Sequence, residues 1–563
     1  MKQINKIITL SVLASSILLG AAPNIGDIEK QIQLPKEVTQ QKDAPLIEIG
    51  GVKQYAPPMK DDKSGKTIFV KSFKFDGAIH VDEVKLQKLI SSYTNRDLTF
   101  YDLQEVASII TKEYRDQGYF VARAYLPVQD INKNNGVITI AIIEGNYGEF
   151  QLKNNSLVKD SIVQGMIDDA KARDNIVSTD TLERAMIIIN DTPGVIVTGA
   201  NIEPGKEVGT SDIAVTTQVS KAYDGYILAD NYGSRYTGKN RVMAGVNFNS
   251  LVGIGDKLSF SGLVSNGTDL KNGRVAYSAP LMSNGLRGEV SYSQTEYSLV
   301  RLDGITDGDY KGSSKTLDAT LTYPIIRTRV ENLYTSLTIA KKDLKDEYLN
   351  TTLNSKDTKS FNLGFAYDKS YVAFGKNSQS EASVNLTHGK LSFDGTDDRT
   401  GANTVGSYTK VNLELANNIA LTQDLTLESS LRMQYALGDK NLDGSEDFSI
   451  GGAYGVKVYP DGEFSAENGY VFNAELKYKL PIVSGLSSQL GVFYDRGRAF
   501  VSNNTNNLVI ETNQSLQDIG VGYYASYKDF FGKLQFAWTA NSDAVESEPI
   551  YNSRILLQAG WVF

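Results

Sequence analysis

From about residue 222 to residue 563 the chain alternates apolar and polar positions. In "LRGEVSYS" Leu286, Val290 and Tyr292 alternate with Arg287, Glu289 and Ser291. In "FNLGFAYD" Phe361, Leu363, Phe365 and Tyr367 share one side. "LTLESSLRMQYAL" puts Leu425, Leu427, Leu431, Met433 and Tyr435 opposite Thr426, Glu428, Ser430, Arg432 and Gln434. A period of two predicts strands with one apolar and one polar face. A soluble sandwich would alternate too, but three details favour a transmembrane barrel. The runs are about ten residues long, the tilted span of a membrane strand. Aromatics gather towards their ends, as interfacial girdles require. The final "SRILLQAGWVF" places Ile555, Leu557, Ala559, Trp561 and Phe563 on one face. At roughly 21 residues per strand and connection, this zone holds ~16 antiparallel strands.

The zone before it, about 66 to 221, reads differently. "TIFVKSFKFDG" predicts a strand and "VDEVKLQKLISSY" a helix. In "LTFYDLQEVASIITKEYRDQGY" Thr99 and Asp102 form a capping pair, and Leu103, Val106, Ile110 and Tyr114 share a helical face, with Gly118 as the stop. Strands "YFVARAYLPV" and "GVITIAIIEG" follow. The order β-α-α-β-β then recurs, with helices in "LVKDSIVQGMIDDA" and "STDTLERAMIIINDTPGV" and a last strand in "SDIAVTTQVS". Two copies of one small α+β unit in tandem are expected, at 66–147 and 148–221. Residues 23–65 comprise a short amphipathic helix on Ile25, Ile28 and Ile32 and an extended Pro/Gly linker. Residues 1–22 carry Lys2 and Lys6, an apolar run and small residues to Ala22, the layout of a secretory signal peptide.

Composition narrows the chemistry. The net charge is -9 over 563 residues, which argues against a nucleic-acid partner. There is no Cys, so disulfides, thiolate zinc sites and Cys nucleophiles are excluded. The two His, His80 and His388, are read as structural. Asp439, Asn441, Asp443, Gly444 and Asp447 have the early spacing of a calcium loop, but Ile450 stands where its bidentate Glu is needed, so a polar loop is expected. No HExxH, GxSxG or phosphate-binding loop is present, and neither an enzyme, a cofactor nor a bound metal is expected.

One connection stands out. "FSIGGAYGVKVYPDGEFSAENGY", from Phe448 to Tyr470, is long and glycine-rich, which marks a functional or a disordered connection rather than a plain turn. Downstream, in "SSQLGVFYDRGRAF", Leu490, Val492 and Tyr494 form the apolar face, so Asp495 points into the barrel. A carboxylate there wants a cation.

These pieces together resemble the outer-membrane transporters of two-partner secretion (TpsB proteins, of the haemolysin secretion/activation family). "YRDQGYFVARAYLPVQDI" with "GVITIAIIEGNYG" resembles their first POTRA domain, with Gly118, Tyr119, Pro127 and Gln129 in its motif. "LERAMIIINDTPGV", "IEPGKEVGTSDIAV" and "LVGIGDKLSFSG" resemble the second POTRA domain and first barrel hairpin. "FSIGGAYGVKVYPDGE" resembles the sixth extracellular loop motif, on Gly451, Gly452, Val456, Lys457, Val458, Tyr459 and Pro460. "GVFYDRGRAF" resembles the FxDxG strand, on Phe493, Asp495 and Gly497.

The resemblance implies a plug helix at 24–34, two periplasmic POTRA domains and a 16-stranded barrel in the Gram-negative outer membrane. It implies that loop 6 folds into the barrel, where the family's motif Arg meets the Asp of FxDxG. Here that Arg is Lys457, which lacks the planar fork of Arg, and Val458 replaces a small residue, so a weaker hold is expected. The partner implied is an unfolded secreted exoprotein of the TpsA type, an adhesin or cytolysin, caught by strand addition at a POTRA edge and exported without ATP. "YFVARAY" and "AVTTQVS" are the candidate edges. The other partners implied are outer-membrane lipids and, during biogenesis, the barrel assembly machinery and periplasmic chaperones. The alternatives are a barrel-insertion factor, which shares POTRA domains and the loop motif, and a passive porin.

Overall fold

The structure is a computed structural model. It describes Ile25, Ile28, 32–34, 49–50, 67–130, 135–207, 209–301, 306–393, 404–438, 441–501, 513–540 and 552–563. The signal-peptide segment lies outside the described residues.

The first α+β unit contains β2 (Thr67–Val70), β3 (Ser72–Asp76), α1 (Glu83–Leu89), β4 (Arg96–Thr99), α2 (Phe100–Asp116), β5 (Arg123–Tyr125) and β6 (Val137–Ile143). It is preceded by the two-residue strand β1 (Ile49–Gly50). The predicted cap is present: the Thr99 N–H donates to Asp102 Oδ2 at 2.7 Å and the Asp102 N–H to Thr99 Oγ1 at 3.1 Å. The face read from periodicity, Leu103, Val106, Ile110 and Tyr114, is buried against β3 and β6. Gly118 follows the helix at φ 93°, a left-handed value that Gly adopts without a Cβ penalty.

The second unit runs β7 (Asn146–Asn155), α3 (Asp160–Arg173), α4 (Thr179–Asn190), β8 (Ile196–Pro204) and β9 (Thr210–Gln218). Its sheet order is β1-β8-β9-β7. This corrects one expectation. "AVTTQVS" forms the body of β9, which is hydrogen-bonded on both sides, antiparallel to β8 and parallel to β7, so it offers no edge. β5 does lie at the edge of its sheet, order β3-β6-β5, but only Arg123–Tyr125 of "YFVARAY" is strand.

The barrel is closed and antiparallel, with sixteen strands. Its first half is β10 (Tyr223–Asp230), β11 (Arg241–Asn249), β12 (Lys257–Ser265), β13 (Leu270–Pro280), β14 (Arg287–Ser298), β15 (Tyr310–Arg327), β16 (Glu331–Tyr348) and β17 (Thr351–Ala373). Then come β18 (Lys376–Phe393), β19 (Gly406–Ala420) and β20 (Leu425–Leu437). A short hairpin, β21 (Phe448–Ser449) with β22 (Ser465–Ala466), interrupts before β23 (Asn468–Lys479). The wall ends with β24 (Ser487–Phe500), β25 (Asn513–Tyr527), β26 (Phe530–Thr539) and β27 (Ser553–Val562), which pairs with β10 from Tyr226↔Val562 to Asp230↔Gln558. Strand lengths depart from the expected ten residues. β10 has 8 and β17 has 23, so the middle strands rise beyond the lipid on one side. The exposed side chains of the outer face, among them Ile339, Phe361, Val492, Ile519 and Trp538, are those that lipid covers.

The second unit is fixed to one end of the barrel. Arg327, at the end of β15, makes a two-pronged bond with Asp191 at 2.7 Å on each arm. Arg329 Nε lies 2.6 Å from Glu183. Arg184, buried, donates to the backbone carbonyls of Pro324 and Asn284. The short turns at this end mark it as the periplasmic one. The longer connections, including Phe448–Tyr470, open at the other.

Candidate lumen lock and plug

The sequence from Phe448 to Ala466 folds back into the barrel because its apolar residues find an apolar wall. Ile450, Val456, Val458 and Tyr459 are buried with Val471, Phe493, Leu516 and Ala537 of strands β23 to β26. Turns bind the loop to itself: the Val456 N–H donates to Ile450 O at 2.9 Å and the Gly452 N–H to Tyr459 O at 3.0 Å. Gly452 has φ 98°, and a Cβ there would overlap the Asp461 carboxylate. Gly451 and buried Pro460 complete the turn, with Gly451 bridged to Val456.

Lys457 lies within this apolar frame and reaches the wall. Its ammonium is 2.9 and 2.7 Å from the two oxygens of Asp495 and 4.4 Å from the centre of the Phe493 ring. Asp495 is fully buried and Lys457 is 12% exposed in its side chain. Asn473 of β23 adds a third hydrogen bond to Asp495 at 2.7 Å. The FxDxG spacing has a physical reading here. On β24 odd positions face the lumen, so Phe493 offers a ring and Asp495 a charge to one cation. Gly497 leaves room for the loop, since a Cβ there would come 2.9 Å from Ile450 Cβ.

The expected weaker hold has a counterweight. A single ammonium replaces the fork of Arg, yet it contacts both carboxylate oxygens and the ring. Val458, larger than the family's residue, is buried, and its N–H donates to Asp518 Oδ2 at 2.6 Å. Asp518 faces Asp495 directly across the β24–β25 ladder. Arg554 donates to Tyr459 O and Arg432 to Tyr454 O, each at 2.6 Å. Before the loop, Asp443 pairs with Lys356 of β17 and Glu446 with Lys410 of β19, so this polar stretch is tied to the wall; Asp439 lies outside the described residues. Asp518, Asn473, Arg432 and Arg554 were missed in the sequence. Their signal was inward parity on strands, but which inward residues meet depends on a register the sequence does not give.

The candidate plug residues lie against strands at the start of the barrel. Ile25 and Ile28 are helical and buried among Leu228, Met243, Leu263, Leu270 and Tyr297. The Ile25 N–H donates to Asp346 Oδ1 at 3.2 Å, and the Tyr297 hydroxyl donates to the same oxygen at 2.6 Å. Ile32 lies outside the helix, contrary to expectation, although it packs partly buried against the same cluster.

In the first unit, the motif residues join parts. The Gly118 carbonyl accepts from the Thr179 N–H at 2.9 Å, linking the two units. Tyr119 packs against His80 and Tyr114. Gln129 pairs with both backbone groups of Thr139 at 2.8 Å and donates to Pro127 O, acting as an extra rung on β6. Glu144 accepts from the Ile79 and His80 N–H groups and the Tyr114 hydroxyl, and lies 2.7 Å from His80 Nδ1. Burial pulls its carboxyl upward, but those donors outweigh it and hold the group below its ordinary value. His80 Nε2 is 3.4 Å from Asp174 of the second unit. His388 Nδ1 is 2.8 Å from Thr409 Oγ1 on the outer face. Both His thus serve structural contacts.

Known proteins match most of the chain. Residues 209–515 match the family described as haemolysin secretion/activation protein ShlB/FhaC/HecB, and residues 68–145 match the ShlB-type POTRA domain. The heme/hemopexin transporter protein HuxB of Haemophilus influenzae strain 86-028NP is 27% identical over 523 residues, covering 91% of this chain and 90% of HuxB. The outer membrane transporter CdiB of Dickeya dadantii is 22% identical over 85% of each chain. The solved structure of CdiB from Escherichia coli superposes with a TM-score of 0.77 at 19% identity, covering 96% of this chain and all of that one, a likeness of fold. The chain therefore belongs to the haemolysin secretion/activation family, the outer-membrane transporters of two-partner secretion.

Proposed function

We propose that this transporter takes one large, unfolded exoprotein of the adhesin or cytolysin type from the periplasm, through its barrel, to the cell surface. The observation that carries the reading is a lumen occupied from two sides, by the plug residues Ile25 and Ile28 on one wall and loop 6 on the other. A passive porin has no use for either. The units at 66–147 and 148–221 are the receiving domains. β5 and β7 lie at sheet edges, and strand addition there would hold an extended chain. In the second unit's sheet the side of β8 away from β9 carries β1, paired in parallel at Ile49↔Ala200 and Gly50↔Asn201.

Lys457 and Asp495 fix loop 6 to the wall, and Gly497 makes the space for it. Export runs without ATP: folding on the far side biases a reversible threading step, since a folded domain lies roughly 5–15 kcal/mol below its unfolded chain. Outer-membrane lipids surround the barrel, and the barrel assembly machinery with periplasmic chaperones acts on it during biogenesis.

The test is to delete the gene, restore it on a plasmid and compare culture medium and outer membrane. Loss of one large secreted protein that returns on complementation supports the proposal. A broad fall in many outer-membrane barrels would instead mark an insertion factor, and no change in either fraction would overturn the export reading.

A further inference from the structure

Three lysines form a row on the outside of the barrel. Lys341 on β16 pairs directly with Lys359 on β17, and Lys359 pairs with Lys390 on β18. All three are exposed and share the outward parity of Ile339 and Phe361. Neighbouring strands lie about 4.8 Å apart, so three ammonium groups root within about 10 Å of one another. Like charges directly opposite on a sheet destabilise it. The chain nonetheless places them side by side.

Their height matters. Going up β16, the outward residues Leu333, Leu337 and Ile339 are apolar, and Lys341 is the first charge above them. The same change occurs between Phe361 and Lys359 on β17. The row therefore sits where the lipid tails end, on the side away from the POTRA units. The rung above holds Lys315, Asp343 and Asp357 facing outward. Asp343 takes up Lys341 at 3.0 Å, while no ion pair involves Lys359 or Lys390 among the described residues. Over the two rungs, four lysines stand against two aspartates, which leaves a surplus of positive charge. Directly beneath is a groove of about 550 Å³ lined by Val290, Leu317, Ala319, Ile339 and Phe361, with His388 at its rim.

We propose that Lys341, Lys359 and Lys390, with the apolar groove beneath them, bind a phosphorylated glycolipid of the outer leaflet. The ammonium groups take its headgroup phosphates and the groove takes one acyl chain. The argument is complementarity at a fixed depth: an anion above, a hydrocarbon chain below, and a lipid that carries both.

The test uses the purified full chain in detergent, titrated with diphosphorylated lipid A, with the same lipid after phosphate removal, and with inorganic phosphate, read by native mass spectrometry. The expected result is at least tenfold tighter binding of the diphosphorylated lipid than of the dephosphorylated one. Lys359→Gln with Lys390→Gln should remove that preference. Lys359→Arg with Lys390→Arg should keep it, as should Lys376→Gln, which lies near the periplasmic turn. All variants should keep the gel shift of a folded barrel, because every altered side chain points outward. Equal binding of the two lipids, an unchanged preference in the double glutamine variant, or full displacement of the lipid by millimolar inorganic phosphate would each overturn the proposal.

Discussion

Replacing Asp495 by Ala is the sharpest test of the lumen lock. The change removes both oxygens that hold Lys457 and the acceptor for Asn473. Lys457 is then left 12% exposed, with a ring and the neighbouring Asp518 for company. Breaking one partner out of a buried pair costs about 3–5 kcal/mol, because an uncompensated charge remains. At 1.4 kcal/mol per factor of ten, the low end of that range raises the open population of loop 6 by about a hundredfold. The barrel itself should survive, since the ladders on either side of Asp495 are made by the backbone, which the substitution leaves in place. The assay is hydrogen–deuterium exchange on peptides spanning residues 450–464, with the Val456 and Val458 amides as reporters. Their exchange should accelerate by about that factor, the gel shift of the folded barrel should persist, and secretion of the exoprotein should fall. Asp495→Asn, which keeps an acceptor for Asn473, should fall between. If exchange in the alanine variant matches the parent chain and secretion is normal, the pair does not hold the loop and the reasoning fails.

Other consequences can be measured independently. Ile25→Asp with Ile28→Asp places charge in an apolar pocket where each isoleucine contributes about 2–3 kcal/mol, so planar-bilayer conductance should rise; unchanged conductance would remove the plug assignment. Gly497→Ala should push Ile450 and Val456 off the wall and lower secretion with little loss of barrel stability, whereas full activity would mean the loop has slack that the close approach denies. The depressed Glu144 carboxyl stabilises the first unit above the usual carboxylate range and loses that contribution as pH falls through its lowered value. Glu144→Gln should therefore lower stability near neutrality and flatten the acid limb of a pH–stability profile; a parallel profile would refute the role. Lys457→Arg should leave secretion equal to or above the parent level, since Arg can make a two-pronged bond to the two Asp495 oxygens that the ammonium contacts, and a sharp loss would mean the lumen is built around the smaller ammonium.

Much of this architecture was written in parity. Period two gave the barrel wall, and it also gave the inward direction of Asp495 before any neighbour was known. Capping and a 3.6 period gave α2, down to the Thr99–Asp102 pair. What parity leaves out is which strand lies beside which. "AVTTQVS" has the same pattern whether it is an edge or a centre, so its burial between β7 and β8 could not be read. Asp518 faces Asp495 only because of the β24–β25 register, and Asn473 only because of β23–β24. The role of Lys457 came from resemblance, and the weaker hold expected there counted Val458 only as a departure from a small residue; its backbone and side chain both engage the wall, which no sequence pattern shows. Ile32 fits the helical spacing, but the helix ends before it; spacing sets a face and not a terminus.

The strand β16 joins two features that were described apart. Just before its first residue, Arg327 and Arg329 grip Asp191 and Glu183 of the second α+β unit. Near its last, Asp346 holds the backbone of Ile25. A strand hydrogen-bonded along both sides, to β15 and β17, neither stretches nor slides, so it holds the grip on the second unit and the contact with Ile25 at a fixed separation. The mount of the second unit and the seat of Ile25 are two points on one rigid bar.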